Sequence, residues 1–293
     1  MHTQLDAPPM HKLFNQPQPK LATAIGQTFI LAYRESTHVL EQTLTEAGLS
    51  CGVLRQADRP EYQDYASIYR CLLNHQQAWM QAAHAQQPTL IVEADFVPVI
   101  GFGELPLPFN LSQPDVGICW LYTCAPQLYS VTQEGFGEGY STGLVAYIVT
   151  PKAAQLLCQF VTEITQAHGT GYYNFDSYID CYLRQHQLKN YIAFRNYGEH
   201  GGKPNPEHRR NGMSGIHRAD VLYGELAFLP PYAQASKHPL LCLLLVRLRA
   251  RLKGIGRLLL GKFLRLQVLR RSTVPWRLLG FALRRQLYVY REF

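Results

Sequence analysis

The chain has 293 residues, 47% of them hydrophobic and 17% charged, a balance too apolar for a disordered chain and sufficient for one large domain with an appendage. No run of 18 apolar residues occurs, and the longest candidate, 240–246, has seven, so no membrane-spanning helix is expected. The net charge of +7 conceals an asymmetry: residues 240–293 hold 13 of the 28 basic residues and one of the 21 acids, a local +12 that leaves −5 for the rest. The positive charge therefore belongs to whatever the tail binds rather than to the chemistry of the body.

Residues 1–24 read as a flexible polar arm rich in Gln, Pro and His, without the basic start and apolar stretch of an export leader. Residues 27–33 (QTFILAY) have the short, β-branched and aromatic character of a buried strand. A helix over about 37–47 follows, stopped by Gly48, and then a strand at 52–55. This β-α-β opening predicts an open, mostly parallel sheet flanked by helices. After a loop at 56–64, a helix over about 65–85 carries Ile68, Leu72, Trp79 and Ala82 on one face, with His75 on the same face. Strands are expected at 89–92, 116–122 and 144–149, a helix opened by Pro151, a further helix from Asp176 to about Gln187, and a last strand at 192–194. Residues 195–218 turn to Gly, Pro, Asn, His and Arg, an irregular segment long enough to suggest a functional role. The seven cysteines form no C-x-x-C pair and read as small buried hydrophobes in a reducing compartment.

The strand at 89–92 runs directly into Glu93-Ala94-Asp95, at the carboxyl end where open α/β sheets bind ligands. Alternation along an extended chain lets Glu93 and Asp95 point the same way, and two such carboxylates can hold a hard divalent cation that grips a diphosphate. The alternative for this pair is a solvated turn. A nucleotidyltransferase would also carry strand-end carboxylates, but the segment 32–36 (AYRES) lacks the glycine-rich phosphate loop such an enzyme shows after its first strand.

Between about 65 and 180 the chain resembles glycosyltransferase family 25, the lipopolysaccharide- and collagen-type transferases of the GT-A fold. The resemblance is carried by Asn74-His75 with Trp79, by LIVEADFVPV (90–99), by Gly139-Tyr140-Ser141-Thr142-Gly143 ahead of a helix, and by Asn174-Phe175-Asp176. Two departures stand out: Ala94 replaces the middle acid of the family's acidic motif, and Asn74 replaces Ser. The resemblance implies a GT-A-like catalytic domain over 25–236 and an inverting, hexosyl-type transfer from a nucleotide-sugar to a glycan acceptor such as lipopolysaccharide or another cell-surface glycan. It also implies a divalent cation, manganese above all. An inactive, membrane-bound binding or assembly module is the alternative that the altered acidic motif keeps open.

In this reading Asp95 and Glu93 contact the metal or donor phosphate, and Asp176 is the candidate general base, with a helix N-cap as its alternative role. His75 is a core histidine or a donor contact, and Ser141 and Thr142 line the pocket or simply form a turn. Glu199, His200, His208 and His217 cluster in the irregular segment, and His200, beside Gly201-Gly202, is the preferred third metal ligand. Arg209 and Arg210 are surface arginines able to bind phosphate.

Residues 237–293 form the basic tail. At helical spacing Leu241, Leu245, Leu248, Leu252, Ile255, Leu259, Phe263 and Leu266 make one stripe, with the cations outside it and a break at 272–275. The tail is expected to lie as basic amphipathic helices on an anionic membrane surface, placing the protein at the cytoplasmic, inner face of a membrane. Nucleic acid is not an expected partner. Packing of the tail onto its own body is the remaining alternative.

Overall fold

The computed structural model describes residues 18–202, 207, 210–212 and 217–287. The expected arm up to residue 17, His208, Arg209 and the last six residues of the tail lie outside the described residues.

The first strand, β1 (Gln27–Ala32), pairs in parallel with β2 (Cys51–Arg55) on one side and β3 (Thr89–Glu93) on the other. Between β1 and β2 lies helix α2 (His38–Glu46), after a single-turn α1 (Leu21–Ala24). Gly48, at φ +80°, adopts the left-handed conformation that ends such a helix. Helix α3 (Ser67–Ala82) then crosses to β3, and a three-residue strand β4 (Phe96–Pro98) follows the Glu93-Ala94-Asp95 turn. Five more strands complete the main sheet: β5 (Val116–Trp120), β6 (Gln127–Val131), β7 (Gly137–Tyr140), β8 (Ala146–Val149) and β9 (Lys189–Ile192). The main sheet has the order β2-β1-β3-β8-β5-β9-β7-β6. Taking the pairings in turn, six of its eight strands point one way, with β7 and β8 reversed. The α/β architecture and the largely one-directional sheet are as the sequence predicts.

Strand alternation divides the core. Phe29, Leu31, Ile91, Ile118, Trp120, Tyr147 and Val149 face α3, α4 (Pro151–His168) and α5 (Asp176–Gln185). Their neighbours Ile30, Leu90, Val92, Cys119, Ala146 and Ile148 face the opposite cluster with Leu40 and Leu44 of α2. Helix α4 begins as its sequence requires. Pro151 sits in the first turn, the Thr150 hydroxyl accepts from the Ala153 N–H at 3.3 Å, and Gly169 ends the helix at φ +67°.

Three expectations need correction. The strand expected at 192–194 lies at Lys189–Ile192, and β4, β6, β7 and β10 (Gly198–His200) carry no β-branched alternation strong enough to announce them. The tail is not one helix up to residue 271. Helix α7 (Pro239–Leu259), which follows the single turn α6 (Pro231–Gln234), stops before Gly261 at φ +63°. Helix α8 (Leu266–Arg271) is separate, and α9 (Pro275–Leu287) follows. Nor is the tail set apart from residue 237 onward. Phe263, Leu278, Phe281 and Ala282 are core residues, and a Cβ on Gly137 would meet the Phe281 ring at 2.7 Å, so β7 carries glycine where α9 docks.

Candidate active site at the carboxyl end of strand β3

The chain leaves β3 at Glu93 and turns through Ala94 and Asp95, the turn being pinned where Ala94 donates its N–H to Leu31 O at 2.8 Å. Strand β10 pairs antiparallel with β4, setting His200 opposite Phe96, and the Gly201 N–H donates to Asp95 O at 2.8 Å. This register carries a histidine distant in sequence to the acidic turn: His200 Nε2 lies 3.1 Å from Asp95 Oδ2. One ligand atom from each of Glu93, Asp95 and His200 falls within 4.8 Å of the others.

A glycine keeps the place open. A Cβ on Gly202 would fall on Asp95 Oδ2 and 2.7 Å from His200 Nε2. Arg218 fixes the turn, donating to His200 O at 2.9 Å, His217 O at 2.8 Å and Gly202 O at 2.9 Å, with its guanidinium 4.1 Å from the Tyr232 ring centroid. Beneath it, fully buried Glu199 accepts from the backbone N–H groups of His200 at 3.0 Å and Ala219 at 2.9 Å and from Arg247 at 2.5 Å. Burial pushes the Glu199 carboxyl up, against the pull of Arg247.

The electrostatics of the pair are mutual. Burial opposes charge on His200, but the Asp95 charge and hydrogen bond, with Glu93 behind them, push it up to about 9. Burial likewise raises Asp95, and the His200 cation and hydrogen bond, with Arg218, outweigh it and hold the carboxyl below its ordinary value.

His75 is fully buried on α3. Its Nδ1 is 2.9 Å from the Tyr147 hydroxyl, which also accepts from the Trp79 indole at 2.8 Å, and its Nε2 lies 3.4 Å from Glu93 Oε1. That nitrogen is buried and makes no hydrogen bond, so His75 stands beside Glu93 without fixing it, and it also lines the cleft. That cleft, of about 190 Å³, opens over the ends of β1 and β3 and is bounded by Ala32, Tyr33, Glu35, Asn74, Glu93 and Asp95.

Asp176 is the first residue of α5, and Phe175 occupies the cap position. The carboxylate instead accepts the Gly143 N–H at 2.8 Å, tethering the loop before β8. Asp176 is not among the residues bounding the cleft beside Glu93 and Asp95. The Cys71 thiol is pushed well up by burial and then by the charges of Glu93, Asp176 and Asp95.

Ser141 is fully buried, accepting the Cys124 N–H at 3.0 Å and donating to Thr142 O at 3.0 Å, while Thr142 Oγ1 lies 3.2 Å from Cys124 Sγ. These two residues shape the loop that Asp176 holds. His217 reaches His200 through its carbonyl, 3.4 Å from Nδ1, and Arg210 is exposed.

The donor set suits a divalent cation. Two carboxylates and an imidazole are ligands that manganese accepts. Asp95 Oδ1 is buried with no hydrogen-bond donor, a costly state that a cation would relieve. Sequence reading missed Arg218, Tyr147 and the role of Glu199, because each acts through a contact to residues more than 15 positions away or through backbone atoms that no motif records.

Comparison with known proteins gives no matching family model and no matching curated protein. Among solved structures, the chain is similar to a glycosyltransferase involved in glycosylation of the major capsid of PBCV-1. That match has 13% identity and a TM-score of 0.40, covering 57% of this chain and 80% of that one. It is also similar to a mutant Drosophila β-1,4-galactosyltransferase 7 in complex with manganese, UDP-Gal and xylobiose, with 13% identity and a TM-score of 0.32, covering 63% of this chain and 74% of that one.

Proposed function

We propose that this protein is a glycosyltransferase of the hexosyl, inverting type that takes its sugar from a nucleotide-sugar. The observation that carries the reading is the meeting of Glu93, Asp95 and His200 beside a cleft at the carboxyl end of β3, with one buried Asp95 oxygen lacking a donor. A divalent cation held by these three residues would supply the positive charge that a nucleoside diphosphate leaving group needs.

The protein's own residues do the rest. Asp95 is oriented by His200 and the Arg218-stapled turn, with buried His75 beside Glu93, so part of the ligand set is preorganised before anything binds. Asp176, with one oxygen engaged by Gly143, takes the proton from the attacking acceptor hydroxyl. As that oxygen bonds to the anomeric carbon, the bond from that carbon to the donor phosphate oxygen breaks. The acceptor in this reading is a glycan, lipopolysaccharide-type or lipid-linked, met at the cytoplasmic face of a membrane. The family 25 resemblance and the basic tail support that part.

Ala94 keeps an inactive binding module as the second reading. It packs partly against the apolar cluster around α2 but also lines the cleft, so the acid missing here is missing from the site, and the case rests on Glu93, Asp95 and His200 alone.

Thermal unfolding with nucleoside diphosphates and nucleotide-sugars, each with and without manganese, tests the reading. A ligand at 100 times its Kd stabilises by about 2.7 kcal/mol. One nucleotide class should stabilise the protein, more strongly with manganese, and Asp95→Asn should abolish the metal-dependent part. A flat response to every ligand from a cooperatively melting protein would sink the transferase reading.

A further inference from the structure

Helix α7 is placed inside out for a surface helix. Its residues Arg247, Ala250 and Gly254 face the body. Arg247 meets buried Glu199, Ala250 is buried, and Gly254 sits where a Cβ would crowd Asp220. Leu241, Leu244, Leu245, Leu248 and Leu252 fall within an arc of roughly 100° on the opposite side at ~100° per residue. Each of the five is more than half exposed, and Leu259 at the end of the row is 81% exposed. Arg249 and Lys253 flank this row and are exposed, as are Lys262, Arg270, Arg271 and Arg277 further along. From 237 to 287 there is no acidic residue. Trp276, which opens α9, is 82% exposed.

A continuous apolar row of this kind marks a contact surface. Its charge surroundings identify the occupant. A second copy of the chain would bring cations against cations, with no acid in the segment to answer them. A nucleic acid would leave the leucines in water. An anionic bilayer satisfies both, taking the leucines into its acyl boundary and the Lys and Arg side chains at its headgroups. No described helix is long and apolar enough to cross a membrane, so the contact is interfacial.

We propose that the outward face of α7, with its exposed flanking cations, is a docking surface for anionic lipid bilayers. The surface is already formed and fixed in orientation, because Arg247 joins Glu199 at 2.5 Å and Arg251 donates to Gln286 of α9 at 3.0 Å. Through Glu199, whose carboxylate also accepts the His200 N–H, the docking helix is bonded to the strand that ends at the acidic cleft. The surface stands whether or not the glycosyltransferase reading does.

Sedimentation of the purified full chain with vesicles tests it, comparing phosphatidylcholine alone with phosphatidylcholine containing phosphatidylglycerol. Binding to the anionic vesicles should exceed that to neutral ones by at least about tenfold and fall with salt. The double variant Leu244→Asp, Leu248→Asp should lose vesicle binding with unchanged thermal unfolding, since both side chains lie outside the core. Arg249→Glu with Lys253→Glu should lose the anionic preference by itself. Equal binding to both vesicle types, or retention of binding by both variants, would overturn the proposal. So would a wild-type dimer that the leucine variant turns into a monomer, which would assign the face to a second copy.

Discussion

Asp95 and Asp220 each have a cationic partner, and they differ in what remains unsatisfied. Asp220 is saturated. Its Oδ1 accepts from Arg285 at 2.8 Å, Asn196 at 2.9 Å and the Val221 N–H at 2.9 Å, and its Oδ2 accepts from Gln286 at 2.6 Å. Asp95 receives His200 on Oδ2 and keeps a buried Oδ1 with no donor. The first arrangement is a clamp that welds α9 to the body, since Arg285 also donates to Ala193 O at 2.8 Å and to Thr123 at 3.1 Å. The second is the place where we propose that a divalent cation binds. Burial and charge are alike in the two carboxylates; the unsatisfied oxygen of Asp95 is what sets it apart from Asp220.

The comparison can be broken at either end. Arg285→Leu strands Asp220 among buried groups and should cost about 3–5 kcal/mol in urea unfolding, with α9 released from β6. A loss under about 1 kcal/mol would mean that the clamp is dispensable. Asp95→Asn removes the charge that holds His200 protonated, so it should cost some stability, and it should lower donor turnover by about 10²–10³-fold, the scale expected when a charge-stabilising group is removed from a transfer site. Full turnover in this variant would remove Asp95 from the chemistry.

Gly202→Ala sharpens the same point by steric means. Its Cβ would collide with Asp95 Oδ2, so manganese affinity measured by calorimetry should fall by about 10–100-fold. Unchanged affinity would mean that the cation, if bound, sits elsewhere.

The smallest effect is in pH. Burial raises Asp220, but Arg285 and Gln286 outweigh it and hold the carboxyl below its ordinary value. A depressed carboxyl contributes stability fully above its unfolded pKa and loses it as pH falls through the folded one. Wild-type stability should therefore fall below about pH 4, and Asp220→Asn should be less stable at neutral pH with a flatter acid limb. Parallel acid limbs in the two proteins would place the acid sensitivity in another group.

Much of the frame is legible in the sequence because it depends on local periodicity. The run 27–32, the helical period of Ala153, Leu156, Leu157, Phe160, Val161 and Ile164 in α4, and the stop at Gly48 each carry their own signal within a few residues. The acidic pair Glu93 and Asp95 was readable for the same reason, since alternation over three residues places both on one side. His200 could be named as a candidate ligand beside its glycines. That it reaches Asp95, 105 positions away, follows only from the β4–β10 register.

The tail divides along the same line. Its period and charge announce amphipathic helices, yet period cannot say which face the body takes. On α7 the body takes the arginine side, because Glu199 is buried there and needs a cation, and the leucines are left outward. On α9 it takes Leu278, Phe281 and Ala282, together with Arg285 for Asp220. The sequence by itself determined the elements and their amphipathic character, since those arise from neighbours along the chain. Only the tertiary structure decided which face is covered and which carboxylate is left open, since those depend on partners brought together by packing.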